Sequence, residues 1–342
     1  MESNKKVLLT GVTGFLGAHS TIQLLEQGYE VTGTMRNMNK ADHIRNIIAQ
    51  HTSHINRLHL AEADLTDDQV WNRLMPGMDF VQHIASPFPR EMPDHEDELV
   101  VPAKKGTLNV LRAASIHKVK RVVMTSAGAA MTYGREENHK SGTYDESNWT
   151  DIQNKDDTTP YFRSKTIAEK VAWDHIAQDG SGMELVTVCP GAILGPVLEK
   201  DFGTSANIVI KIMDGSMPGL PNLGFEVVDV RSVANLLIRA MKQPEAANER
   251  FAGTAGFCTL KNIADILRSK YPDRKIPKRM LPNFMVRIFS YFDATLKPTL
   301  IDLGVRRKID SSKAQQQLGW SHYSTREAVL SCAETVLNLE LV

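Results

Sequence analysis

The chain has 342 residues, and its 40 Lys+Arg balance 40 Asp+Glu, with 42% hydrophobic and 23% charged residues. That is an ordinary globular composition, and a neutral chain has no overall positive field to draw in nucleic acid or an anionic membrane, so neither partner is expected. No run approaches the roughly 20 apolar residues of a membrane span, and the opening MESNKKVLLTG lacks the apolar core of a signal peptide, which reads as a cytoplasmic protein. Cys189, Cys258 and Cys332 are far apart and without CxxC spacing, and are expected to be reduced packing residues.

In chain order, short β-branched or aliphatic runs occur at Val7 to Thr10, Tyr29 to Met35, Leu58 to Ala61, Phe80 to Ile84, Arg121 to Ser126 and Leu185 to Val188. Between them, Phe15 to Glu26, Lys40 to Gln50, Glu96 to His117 and Tyr161 to Gln178 carry helical spacing. Strands alternating with helices predict an α/β fold, a doubly wound parallel sheet covered on both faces. From about Gly195 the rhythm changes, and a smaller C-terminal lobe is expected. The division predicted is 1–194 and 195–342, with parts near 226–253 returning to the sheet, particularly Glu226 to Val230 and a helix over Arg231 to Lys242.

Directly after the first run comes TGVTGFLG, which puts Gly11, Gly14 and Gly17 at three-residue spacing before an apolar-periodic helix. Gly11 suits a tight turn, Gly14 close approach of a pyrophosphate to backbone amides, and Gly17 close packing of helix on strand. Thr10, Gly11, Thr13, Gly14, Phe15, Leu16 and Gly17 are thus candidate dinucleotide-binding residues. The second strand ends GTMRN, and no carboxylate stands there for a ribose 2′-hydroxyl. Arg36, with Lys40, suits a 2′-phosphate instead, favouring NADP(H) over NAD; the alternative is a solvated surface arginine. Asp64 and Leu65 follow the third strand, where the carboxylate could receive an adenine amino group.

Tyr161 and Lys165 in YFRSK are four apart, on one helical face, where a nearby ammonium favours the phenolate and suits the tyrosine to proton transfer. A second YxxxK, Tyr271 to Lys275, is flanked by Pro272 and Pro277 and is read as a chance match. TGVTGFLG, Asp64-Leu65, HIASP at His83 to Pro87, YFRSK and CPGAILGP together resemble the extended short-chain dehydrogenase/reductases. More narrowly the chain is similar to their dihydroflavonol reductase-like branch, a resemblance that YDESNW and RKIDSSKAQQQLGW extend over nearly its whole length. The resemblance implies a Rossmann fold for 1–194 and a mainly substrate-binding lobe for 195–342. It implies Tyr161 as proton donor, Lys165 on the nicotinamide ribose, Pro190, Gly191 and Ile193 beside the nicotinamide, and Ile84, Ala85, Ser86 and Thr125 along the cofactor.

One position departs from the family. Where its members carry a catalytic serine after the fifth strand, this chain reads TSAGAAM, and the matching residue is Ala127. Ser126 is the nearest replacement, although adjacent strand residues point to opposite faces unless a bulge re-aims one. Thr125, Ser86, a water or a backbone amide are alternatives. The activity implied is NADPH-dependent reduction of an aldehyde or ketone by a monomer or homodimer, the rivals being an NAD-dependent sugar-nucleotide epimerase or dehydratase and a non-catalytic NADP-binding sensor. His51, His54 and His59 are read as a solvated helix end, with no metal expected. Phe284, Met285, Ile288, Phe289 and Phe292 form a helical stripe, read as core packing over a substrate- or membrane-facing surface. Pro87 to Pro93 is expected to border the active site.

Overall fold

The computed structural model describes residues 5–87, 95–200, 205–292 and 294–342, so Phe88 to Pro93 of the expected active-site border lies outside the described residues. The first half runs β1 (Lys6–Thr10), α1 (Phe15–Glu26), β2 (Glu30–Met35), α2 (Ala41–Ala49), β3 (Leu58–Glu62), α3 (Asp68–Leu74), β4 (Phe80–His83), α4 (Asp97–Ile116) and β5 (Arg121–Thr125). Short α5 (Ala129–Thr132) and β6 (Gly142–Tyr144) lead to the long α6 (Pro160–Gln178) and β7 (Glu184–Pro190). The remainder holds β8 (Ala192–Leu194), α7 (Ala206–Met213), β9 (Gly224–Asp229), α8 (Val230–Lys242), β10 (Arg250–Gly253) and β11 (Phe257–Thr259). It ends with α9 (Leu260–Lys270), α10 (Asn283–Phe289), β12 (Arg307–Ile309), α11 (Ser312–Leu318) and α12 (Thr325–Asn338).

Seven strands form one sheet in the order β10-β7-β5-β4-β1-β2-β3, every pair parallel. The central strands are apolar on both faces because both faces are covered: Val7 and Leu9 of β1 pack toward α1 and α8, and Leu8 toward α4 and α6. This is the doubly wound Rossmann-like fold. Its strand order reverses between β1 and β4, so a crevice opens at their carboxyl ends, the position at which such sheets take ligands.

The return of the C-terminal part to the sheet is made differently from the expectation. The 224–229 strand, β9, pairs with β8 and β11 in a separate three-stranded sheet. What returns is α8, packed on the main sheet, and β10, hydrogen-bonded to β7. An isolated apolar run specifies a strand but not its neighbour, which is why the pairing was not readable. The 284–292 stripe also differs. Val286 is the buried residue of α10, whereas Phe284, Ile288 and Phe292 are exposed. The second YxxxK lies at the end of α9, with Tyr271 its cap and Lys275 exposed.

Candidate active site

Two cavities lie at the carboxyl ends of the strands. The first, about 610 Å³, is bounded by the β1–α1 turn, the ends of β2 and β3, and residues 84–87 after β4. Gly11 turns with φ +80°, and a side chain there would meet Ala85. A Cβ on Gly17 would stand 2.0 Å from the Gly11 carbonyl oxygen, so only glycine lets α1 begin so close to β1. At Gly14 the protein demands less, since a Cβ would be 3.4 Å from that oxygen. What Gly14 provides is bare backbone at the N-terminus of α1, where no side chain caps the helix and no acid occupies the first turn. Exposed amides and an uncompensated helix dipole make this a cradle for an anion.

Thr13, Phe15 and Leu16 line the same cavity, as do Leu65, Ile84, Ala85 and Ser86. Thr10 ties its floor together: its hydroxyl accepts from the Ile84 and Ala85 amides at 3.0 and 2.9 Å and lies 3.0 Å from His83 Nδ1. With two bonds accepted, the hydroxyl proton goes to Nδ1, so His83 carries its own proton on Nε2. Burial holds His83 neutral, its pKa pushed down to about 3. Arg36 is exposed on the cavity wall just past β2, and Lys40 is exposed on the following 3₁₀ turn. Asp64 also lines the wall. Its Oδ1 accepts from the Thr66 amide and hydroxyl, and those bonds, with Arg36 nearby, hold the carboxyl below its ordinary range.

The second cavity, about 400 Å³, lies past β5 and β7 and is closed by the C-terminal lobe. Thr159 caps α6 by accepting from the Phe162 amide, and Pro160 sets its first turn, which places Tyr161 on the cavity wall. Around it stand Ala127, Pro190 and Gly191, with Phe162, Phe225 and Ile208 giving an apolar surface. Glu226 adds a carboxyl pushed up to about 7 by burial; Oε1 accepts from the Ile309 amide and Oε2 has no hydrogen-bond partner among the described residues.

Burial pushes the half-buried Tyr161 phenol up to about 12 and the Lys165 ammonium down to about 8. The phenol thus moves opposite to the direction expected from a nearby Lys165, and at neutral pH Tyr161 is a phenol and Lys165 mostly charged. The Glu169 carboxylate and Cys189 oppose the fall of Lys165. A reduction that took the phenol proton would need the ammonium beside it. Its rate is expected to fall as pH rises through about 8, and a pH–rate profile that stays flat well above that value would dissociate Lys165 from the reaction.

Ser126 does not reach Tyr161's cavity. Its hydroxyl donates to Glu169 Oε2 at 2.6 Å, on the α6 side of the sheet, and its amide extends the ladder to Val188 at 2.8 Å. The strand therefore continues without a bulge through Ser126, and Ala127 is the residue delivered to the cavity. Thr125 is buried with its hydroxyl unpartnered among the described residues, one strand position from Ser126. Ile193 lies in β8, paired with Val228, and walls neither cavity. A further cavity of about 650 Å³, between α1, α8 and residues 321–323, holds none of the candidate residues.

Residues 7–252 match the NAD dependent epimerase/dehydratase family. The chain belongs to that family. Within the family it is 30% identical to an uncharacterized oxidoreductase of Schizosaccharomyces pombe over 97% of both chains. It is also 30% identical to a cinnamoyl-CoA reductase of Medicago truncatula, over 91% of this chain and 96% of the other. An anthocyanidin reductase of Vitis vinifera is 32% identical over 80% and 83%. Among solved structures, yeast methylglyoxal/isovaleraldehyde reductase complexed with NADPH superposes with a TM-score of 0.82 at 26% identity, covering 98% of this chain and 99% of that one. These relatives place the chain in the extended short-chain dehydrogenase/reductase branch that its motifs resemble.

For this family member, sequence reasoning missed the buried cluster behind Lys165. Glu169, fully buried, accepts from Ser126, from Thr187 Oγ1 at 2.7 Å, and from Arg250 Nε at 2.7 Å and Nη2 at 3.1 Å. An acid four residues after Lys165 on the same helical face was the available signal. Also missed was the far wall of the second cavity, where Arg307 bonds Asp157 and Asp302 beneath Tyr133, whose ring stacks on Phe162 at 4.0 Å. Those residues lie up to 174 positions apart, and no local pattern announces the meeting.

Proposed function

We propose that this oxidoreductase reduces an aldehyde or ketone to an alcohol with NADPH. The observation that carries the reading is Tyr161, held as a phenol on the wall of an apolar cavity beside Pro190 and Gly191, with Lys165 one helical turn behind it. The first cavity fits the dinucleotide. The α1 amides past Gly14 would take the pyrophosphate, Arg36 the 2′-phosphate by charge-assisted bonds, and Asp64 Oδ2 the adenine edge. NADPH, when bound, supplies a hydride to the carbonyl carbon. Tyr161 holds its proton at the phenol oxygen until the carbonyl oxygen takes it, and Lys165 stabilises the phenolate left behind. Phe162, Phe225 and Ile208 exclude water and favour an apolar substrate body.

The test is NADPH oxidation, with NADH in parallel, against aldehydes, ketones, diketones and flavonoid ketones. Turnover preferring NADPH supports the reading; NADPH binding with no turnover on any of them would favour a sensor, and tightly held NAD an epimerase. Arg36→Ala is expected to weaken NADPH roughly tenfold or more and NADH little, since a bond between charged partners contributes about 1.5–3 kcal/mol. Equal weakening of both would remove Arg36 from the 2′-phosphate.

Ala127 stands where the family resemblance implies a hydroxyl on the carbonyl oxygen. Loss of one such donor costs on the order of 2.7–4 kcal/mol when it is well aligned. Ala127→Ser should therefore raise turnover by roughly tenfold or more, below that ceiling because the site did not form around it. Unchanged turnover would mean that another group already serves the oxygen.

A further inference from the structure

The chain's net charge of zero hides an uneven distribution. Between Lys270 and Lys297 the sequence carries seven Lys or Arg against two Asp, in a chain whose total is 40 of each sign. Lys275, Lys278, Arg279, Arg287 and Lys297 are all exposed. The same stretch holds five of the nine large hydrophobic side chains exposed among the described residues: Met280, Phe284, Ile288, Tyr291 and Phe292. Phe284, Tyr291 and Phe292 are 64%, 83% and 87% exposed.

Their spacing puts them together. Residues 284, 288, 291 and 292 stand at i, i+4, i+7 and i+8, one face of a helix, and the turn continues past α10 through Tyr291 amide to Ile288 and Phe292 amide to Phe289 hydrogen bonds. Val286 on the opposite side anchors the segment in the C-terminal core. An exposed apolar cluster of this kind marks an interaction surface.

We propose that this face docks on an anionic lipid surface. Aromatic and aliphatic side chains would enter the interfacial layer while the exposed lysines and arginines of the same stretch meet acidic headgroups, the arrangement of interfacial amphipathic segments. A symmetric contact between two copies would bring the same cations against each other, and protein interfaces are depleted in lysine, whereas four of the six exposed cations of this stretch, Lys270 included, are lysines. Glu137 lies near enough to Arg287 to be stabilised by it and offsets part of that one charge. The neutral total of the chain does not weaken the attraction, because charges farther away than a Debye length, about 8–10 Å, are screened.

The test is co-sedimentation of the intact protein with vesicles of phosphatidylcholine alone and of equimolar phosphatidylcholine and phosphatidylglycerol. Binding to the anionic vesicles only, weakened by salt, is expected. Each of Lys278→Gln and Arg279→Gln should lower it roughly fivefold, and the double variant Tyr291→Ser/Phe292→Ser should lower it at least as much as the pair. All these side chains are exposed and lie outside both cavities, so turnover of a soluble carbonyl substrate should persist and report an intact fold. No binding to anionic vesicles, or equal binding to both, overturns the proposal. So does a concentration-dependent dimer that Tyr291→Ser/Phe292→Ser abolishes, which would assign the face to a second copy.

Discussion

Replacing Tyr161 by phenylalanine is expected to lower turnover by roughly 10²–10⁴-fold, the usual contribution of a positioned general acid. Affinity for NADPH should barely change. The substitution removes one oxygen from the wall of the second cavity, and Tyr161 is not among the residues that line the first. KM for the carbonyl should shift little compared with kcat, because the proton is transferred only as the transition state forms. Steady-state kinetics with NADPH binding measured alongside checks this. Turnover within a few-fold of the parent would take Tyr161 out of the mechanism.

Glu169→Gln is expected to destabilise the fold by about 3–5 kcal/mol, the usual result of removing one partner from a buried ion pair. Both partners are buried, and the Arg250 guanidinium donates twice to the carboxylate. Arg250 is otherwise held by the carbonyls of Glu146, Asn148 and Ala130, so it cannot swing to water without abandoning them. Ser126 and Thr187 would each exchange a charged acceptor for a weaker amide. Lys165 would lose a carboxylate that supports its charge, so the high-pH limb of activity in any surviving enzyme should move to lower pH. Chemical denaturation measures the first effect and a pH–rate profile the second. A loss below about 1 kcal/mol would show that the cluster is fully relieved by solvent or rearrangement.

The parallel sheet was legible because its strands are short apolar runs separated by helical periods, and because Gly11 and Gly17 sit where the turn and backbone crowding demand glycine, with Gly14 leaving bare backbone at the start of α1. Tyr161 and Lys165 were legible as a helical pair from their spacing together with the helix that Pro160 opens, a setting that Tyr271 and Lys275 lack. The protonation behaviour of Tyr161 and Lys165 was not, since desolvation depends on Phe162, Pro190 and the C-terminal lobe folding over them. Ser126 shows the same limit at one residue: sequence placed it next to the missing hydroxyl, and strand pleat turned it to Glu169. The β9 pairing, the Arg307 cluster and the exposure of Phe284, Tyr291 and Phe292 all depend on which distant segment arrives, which local periodicity does not encode.

The reaction we propose for this protein is hydride transfer from NADPH to an external carbonyl. The most direct measurement is a turnover experiment with NADPH carrying deuterium at the reactive C4 position, tested as each of its two stereochemical forms, and mass spectrometry of the alcohol. Reduction predicts that one form delivers the label to the carbinol carbon with stoichiometric NADP⁺. An alcohol unlabelled from both forms, or substrate isomerised with no net consumption of NADPH, would contradict the account.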